Sequence, residues 1–212
     1  MSVPPVEDLR PWFIATRDLE QELGGAQLDW GTYFGNANPV ELDVGSGRGL
    51  FLHTASGANP QTNYVGLEID FKEGRRAAKR LQRAERTNAR VIGGDAHYVL
   101  RHLVRPQSVA AVHVYFPDPW WKKKHRRRRV FTDAFVDLAV QALVPRGCLH
   151  SWTDVAEYFE VISGLMNNDP RFEVLPTPVE RAPEHDMDYL TSFERKARKL
   201  GTQIHRGIWR LK

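Results

Sequence analysis

The segment Phe116-Pro117-Asp118-Pro119-Trp120-Trp121 runs directly into Lys122-Lys123-Lys124-His125-Arg126-Arg127-Arg128-Arg129. Two prolines around one carboxylate fix the backbone and remove N–H donors, so Asp118 sits on a stiffened turn. A carboxylate, an aromatic pair and a dense cationic run on one loop can together engage a base, a stacking surface and phosphates. Taken alone, a charge run is also what a solvated, disordered or targeting segment looks like. Of the two tryptophans, Trp120 is expected to pack in the core, whereas Trp121 is open to either a packing or a stacking role.

A second constellation lies upstream. Glu41-Leu42-Asp43-Val44-Gly45-Ser46-Gly47-Arg48-Gly49 reads as a strand entering a glycine turn, with a helix beginning near Leu50. Glycines there let the backbone approach a ligand at the carboxyl end of a first strand. The spacing is G-x-G-x-G, not the G-x-G-x-x-G of dinucleotide binding, and a plain tight turn would use the same residues. The next strand, Tyr64 to Asp70, ends in carboxylates: Glu68 is placed to accept from ribose hydroxyls, and Asp70 to cap the following helix. In Gly93-Gly94-Asp95-Ala96, Asp95 suits an adenine amino group, a helix cap, or both. Asp43, just before the glycines, suits a cationic cofactor.

The elements that must position these residues form an alternating series. β-rich runs at Val40–Val44, Asn63–Ile69, Arg90–Ile92, Val109–Phe116 and Cys148–Trp152 are separated by helical patterns at Phe71–Arg86, Ala96–Leu103, Phe131–Leu143 and Val155–Met166. That order predicts a parallel sheet covered on both faces. Two further strands are expected at Arg171–Leu175 and Gln203–Leu211, separated by a Pro-rich acidic loop, Pro176–Asp188, and a helix at Thr191–Leu200. Before Pro39, a helix over Leu9–Leu23 and a Gly- and Asn-rich connector, Gly31–Asn38, predict an N-terminal arm (1–38) ahead of one folded domain (39–212).

The chain's 212 residues suffice for one α/β domain, and 42% hydrophobic with 26% charged residues excludes general disorder. A formal charge of only +4 hides its concentration at Lys122–Arg129, which implies a polyanionic partner. One cysteine, Cys148, no signal-like start and no apolar run of membrane length lead to the expectation of a soluble cytoplasmic protein.

With these segments assembled, the sequence resembles the bacterial single-chain tRNA (guanine-N7-)-methyltransferases over about residues 39–207. The matching segments are Leu42 to Gly49, Tyr64 to Glu68, the Phe116-Pro117-Asp118-Pro119-Trp120 block with its trailing Lys and Arg, Thr153-Asp154, and Thr191-Ser192-Phe193-Glu194-Arg195-Lys196. The resemblance implies a Rossmann-like class I methyltransferase of the α/β class. Its sheet would have seven strands, mostly parallel with an antiparallel C-terminal strand, and helices on both faces. It further implies S-adenosyl-L-methionine as cofactor, no metal, and methyl transfer to N7 of a variable-loop guanosine in tRNA, by a monomer or homodimer with no obligate protein partner.

By the same resemblance Asp118 is the catalytic residue, and Asp43, Gly45, Gly47, Glu68, Asp95 and Asp118 form the cofactor side. Lys122, Asp154, Thr191, Ser192, Phe193 and Glu194 would contact substrate, and Lys124, His125, Arg126, Arg127, Arg128 and Arg129 would contact RNA. Asp43 stands where the family usually has glutamate, and Trp121 where a smaller or more polar residue is usual. Read as local structure, Thr191-x-x-Glu194 is equally a capping box and Asp154 equally a helix cap. Three other readings stay open: a methyltransferase acting on another base amino group or a small molecule, a nonenzymatic RNA-binding protein of this fold, and, more remotely, a nicotinamide dehydrogenase.

Overall fold

The computed structural model describes residues 8–177 and 191–212. Beyond Thr177, the Pro-rich loop expected at Pro176–Asp188 lies outside the described residues. The chain runs β1 (Phe13–Ala15), α1 (Thr16–Leu23), α2 (Trp30–Phe34), β2 (Val40–Val44), α3 (Leu50–Ala58), β3 (Asn63–Glu68), α4 (Phe71–Arg83), β4 (Ala89–Gly93), α5 (Ala96–His102) and β5 (Val109–Tyr115). A 3₁₀ segment (Lys123–Arg128) then leads into α6 (Asp133–Ala142), β6 (Leu143–Thr153), α7 (Ala156–Asn167), β7 (Phe172–Leu175), α8 (Ser192–Lys199) and β8 (His205–Leu211).

The strands form one sheet in the order β1-β4-β3-β2-β5-β6-β8-β7. Pairs from β1 through β6 are parallel, and β8 inserts antiparallel between β6 and β7. All six residues of β3 are buried, as expected of a strand covered on both faces. Strand order reverses between β2 and β5, and a crevice at the carboxyl ends of those strands is where open α/β sheets take ligands. Among the described residues, no helix is long and apolar enough to cross a membrane.

The sheet has eight strands where seven were expected. The extra one, β1, falls inside the region expected to be a single helix from Leu9: Pro11 interrupts that helix, and Phe13 to Ala15 pair with Val91 to Gly93 along the open edge of β4. Helix α1 therefore starts only at Thr16. The expected connector Gly31–Asn38 begins as part of α2, capped by Asp29, which accepts from the Thr32 N–H at 2.7 Å, and closed by Gly35 in the left-handed region. β6 starts five residues earlier than its apolar run indicates, because Leu143 already pairs with Val109. Elsewhere the boundaries agree to within a few residues.

Candidate active site

The glycine turn is shaped by its backbone and braced by Glu68. Gly45, Gly47 and Gly49 all have positive φ, 77°, 52° and 67°, which residues with a Cβ adopt only under strain. At Gly49 a Cβ would also lie 2.6 Å from that of Ala77, so this glycine sets how closely the start of α3 packs on α4. The Gly45 N–H donates to the Leu67 carbonyl at 2.8 Å. One carboxylate oxygen of Glu68 accepts from the Gly47 N–H at 2.7 Å and the other from the Asp70 N–H at 2.8 Å. Glu68 thus ties the loop to the end of β3, with lone pairs left on both oxygens for a ligand. Asp70 caps α4, accepting from the Lys72 and Glu73 N–H groups as expected.

Asp43, next to last in β2, is only 3% exposed. Burial, and then the charge of Glu68, push its carboxyl up to about 8. A carboxylate in that setting favours a cation beside it.

A cavity of about 790 Å³ opens above these residues, and Asp43, Gly45, Gly47, Glu68, Asp95 and Asp118 all line it. The structure therefore brings together every residue expected on the cofactor side. Asp95 also caps α5, accepting from the Tyr98 N–H at 3.1 Å, so the cap geometry coexists with its place on the cavity wall. Thr191, Phe193, Arg128 and Arg129 line the same cavity. Lys122, Lys124, His125, Asp154 and Glu194 are not among its lining residues. For Ser192, Arg126 and Arg127 only the backbone is described.

The turn that carries Asp118 is strained at both ends. Phe116 and Trp120 hold φ of 50° and 42°, each a conformation costing about 1–3 kcal/mol without a special reason. Several contacts hold it there. The Phe116 N–H donates to the Trp152 carbonyl at 2.7 Å, and the Phe116 ring stacks on Phe193 with centroids 5.9 Å apart. Nε of Arg129 donates to the Pro119 carbonyl at 2.7 Å, and the Arg128 guanidinium lies 5.1 Å from the Trp120 ring centroid. The end of the basic run thus folds back onto the turn, and Arg129, which also covers the Tyr158 ring, is built into it. Asp118 itself is exposed toward the cavity. Trp120, expected in the core, is half-buried on the cavity wall instead, because its left-handed backbone directs it there; Trp121 is 52% exposed.

The capping box of α8 forms on its N-terminal side: Thr191 Oγ1 accepts from the Glu194 N–H at 2.9 Å. The Glu194 carboxylate is buried and accepts from Arg198 Nε at 3.1 Å, with Arg206 at 3.8 Å. It anchors α8 to β8. Asp154 does not cap α7; it is exposed, Val155 is the N-cap, and Thr153 Oγ1 takes the Val155 N–H at 3.2 Å.

Sequence reasoning missed several wall residues, among them Ile69, His97, Phe116 and Tyr115. It also missed a buried chain behind the wall. Glu41 Oε2 lies 2.7 Å from His113 Nε2, and His113 Nδ1 lies 2.9 Å from the Tyr115 hydroxyl. Burial raises Tyr115 well above the usual phenol range, and His150, stacked on His113, is lowered to about 3 by burial and then by His113. The alternation of His113 and Tyr115 along one strand was the available signal.

A mostly parallel sheet with its cavity at the switch point, a glycine turn and acids at or near successive strand ends define a Rossmann-like, S-adenosylmethionine-dependent methyltransferase. Solved structures share that fold: a SAM-dependent methyltransferase from Aquifex aeolicus (TM-score 0.55, 12% identity, 92% of this chain and 89% of that one) and an rRNA methylase from Streptococcus thermophilus (TM-score 0.54, 15% identity, 82% and 87%). The profile of the family described as "Putative methyltransferase" matches residues 37–207. A tRNA (guanine-N(7)-)-methyltransferase of Rhodopirellula baltica is 40% identical, with 97% of this chain and 76% of that protein covered; one of Halorhodospira halophila is 36% identical, with 87% and 80% covered. The chain belongs to the tRNA (guanine-N7-)-methyltransferase family.

Proposed function

We propose that this protein transfers the methyl group of S-adenosylmethionine to N7 of a variable-loop guanosine in tRNA, and so works in the cytoplasm, where tRNA is. The observation that carries the reading is the position of Asp118: its rigid turn and the glycine loop face one cavity. The chemistry of the wall fits the cofactor. Buried Asp43 complements a cation, Glu68 and Asp95 offer acceptors to a nucleoside, and the glycine loop leaves room for close backbone approach. Bound there, S-adenosylmethionine supplies an electrophilic methyl on a cationic sulfur.

Guanine N7 has a free lone pair and no proton, so no general base is needed and positioning dominates. In this reading Asp118 accepts from the guanine N1–H and exocyclic amine, and its charge favours the positive charge developing on the ring. Thr191 and the Phe116–Phe193 pair supply the substrate rim. Lys122, Lys124, His125 and Arg128 hold phosphates beside it, with Asp154 at the solvent-facing end of β6. Arg129 and Glu194 work through neighbours, as positioning residues for the turn and for α8.

The test is incubation with an unmodified tRNA transcript and labelled methyl donor, followed by strand scission specific for N7-methylguanosine. Scission at one variable-loop position is expected. Label on another atom, or none with several tRNAs, overturns the reading.

A further inference from the structure

A second strongly charged concavity lies between α3 and α4, and methyl transfer as described above makes no use of it. It encloses about 630 Å³ and is lined by Arg48, Arg76, Lys79, Arg80, Arg83 and His53, with no carboxylate among its described lining residues. Its origin is visible in α4. Arg76, Lys79, Arg80 and Arg83 recur at helical spacing on one stripe, while Gly74, Ala77, Ala78 and Leu81 bury the opposite one.

A merely solvated helix face ordinarily alternates acids with its bases. Here Glu73 is the only carboxylate in the helix, and it is shared between Arg48 and Arg76. Burial, and then the like charges of Arg195 and Arg48, hold the half-buried Arg80 below the usual guanidinium value. His53 is lowered by burial and by Arg86 and Arg80. A polyanion relieves such crowding.

Arg48 lines both this cleft and the reaction cavity, whereas Arg128 and Arg129 line that cavity from the Asp118 turn. Cationic surface therefore reaches the cavity from the glycine-loop side as well as from the turn side. A ligand that engages both must be extended. We propose that the α3–α4 cleft is a second RNA-backbone site, which takes tRNA phosphates on the glycine-loop side of the cavity while the Lys122–Arg129 run takes them on the other. This rests on the tRNA reading above.

The experiment measures full-length tRNA binding by fluorescence anisotropy across a salt series, for wild type, for Arg80→Gln/Arg83→Gln and for Lys124→Gln/Arg128→Gln, with cofactor affinity measured by calorimetry in parallel. Since Arg80 is half-buried, Lys79→Gln/Arg83→Gln provides a second cleft variant should the first melt. Each lost phosphate contact removes about 0.7–0.9 from the slope of log K against log salt. A folded cleft variant is expected to lose roughly 1.5 of that slope and about tenfold in affinity, with cofactor affinity unchanged. If wild type shows no salt-dependent tRNA binding, the tRNA reading fails and the proposal with it. If only the Lys124→Gln/Arg128→Gln protein loses slope, the cleft proposal alone is overturned. ATP binding that the cleft substitutions abolish while the tRNA slope stays put also overturns it, by assigning the cleft to small phosphorylated molecules.

Discussion

Asp118 projects from a turn whose ends, Phe116 and Trp120, are both held at positive φ by contacts with β6, α8 and the basic run. Strain retained at that place points to orientation as the function of the turn. Removing the carboxylate should leave the turn intact: Asp118→Ala is expected to melt at the wild-type temperature, bind cofactor, and lose roughly 10²–10³-fold in kcat. Single-turnover kinetics near the wild-type rate would refute the role. Asp43 is a different kind of residue. An unfolded carboxyl titrates near 3.8 and the folded one near 8, so the folded state holds a proton that the unfolded state releases between those values. On account of Asp43 alone, stability is full below pH 4 and falls as pH rises toward 8. A cationic cofactor reverses that preference, so its binding expels the proton and its affinity rises with pH up to about 8. Calorimetry at pH 7 in phosphate and in Tris should reveal proton release in wild type and none in Asp43→Asn, which should also be more stable without cofactor at pH 8. Equal buffer dependence in the two proteins would place the titrating group elsewhere.

At the scale of the elements, β8 shows how one small residue fits a strand into the sheet. Trp209 is buried, its Nε1–H donates to Asn167 Oδ1 at 2.8 Å, and its ring lies over Gly207, where a Cβ would stand 2.0 Å from the ring edge. Gly207→Ala forces the indole out of its packed position. The expected cost is about 1–3 kcal/mol, read as a lower urea midpoint at unchanged slope. No change in midpoint would mean that Trp209 repacks freely. The strands β2 to β5 were legible as short β-rich runs alternating with helical patterns, and their helices from apolar residues at helical spacing, with Asp70 and Asp95 marking the starts of two of them. β1 was not legible. Its three residues become a strand only through the open edge of β4, a partner distant in sequence. Glu68 and Asp95 were readable for a related reason, since Glu68 ends β3 and Asp95 starts α5. Of the Glu41–His113–Tyr115 chain only the alternation of His113 and Tyr115 on β5 could be read along the sequence; Glu41 meets His113 from the neighbouring strand, an adjacency no spacing encodes.

For the whole molecule, the question is whether the segment before Pro39 is an appendage or part of the cooperative unit. Leu9 and Phe13 are buried with Leu52, Ala77, Leu81 and Val91 on one side of the sheet, and Leu28 and Trp30 with Val104 and Val109 on the other. The Trp12 carbonyl accepts from the Val91 N–H at 2.8 Å and Thr16 Oγ1 donates to the Gly93 carbonyl at 2.9 Å, so the segment also satisfies the edge of β4. An unpaired edge there would invite association. Phe13 is the best single probe: it is 7% exposed, meets Phe71 edge-on at 5.9 Å, and sits so close to Gly93 that a Cβ on that glycine would lie 2.6 Å away. Phe13→Ala is expected to cost about 3 kcal/mol or more. At this chain length that lowers Tm by roughly 10 °C. The decisive feature is the shape of the transition. A segment that shares both cores shifts the whole calorimetric peak downward in one step, with the van't Hoff enthalpy still equal to the calorimetric one. If the peak splits, or if hydrogen exchange shows residues 13–34 opening while β2 to β5 stay fully protected, the segment is an arm that folds on an independent sheet.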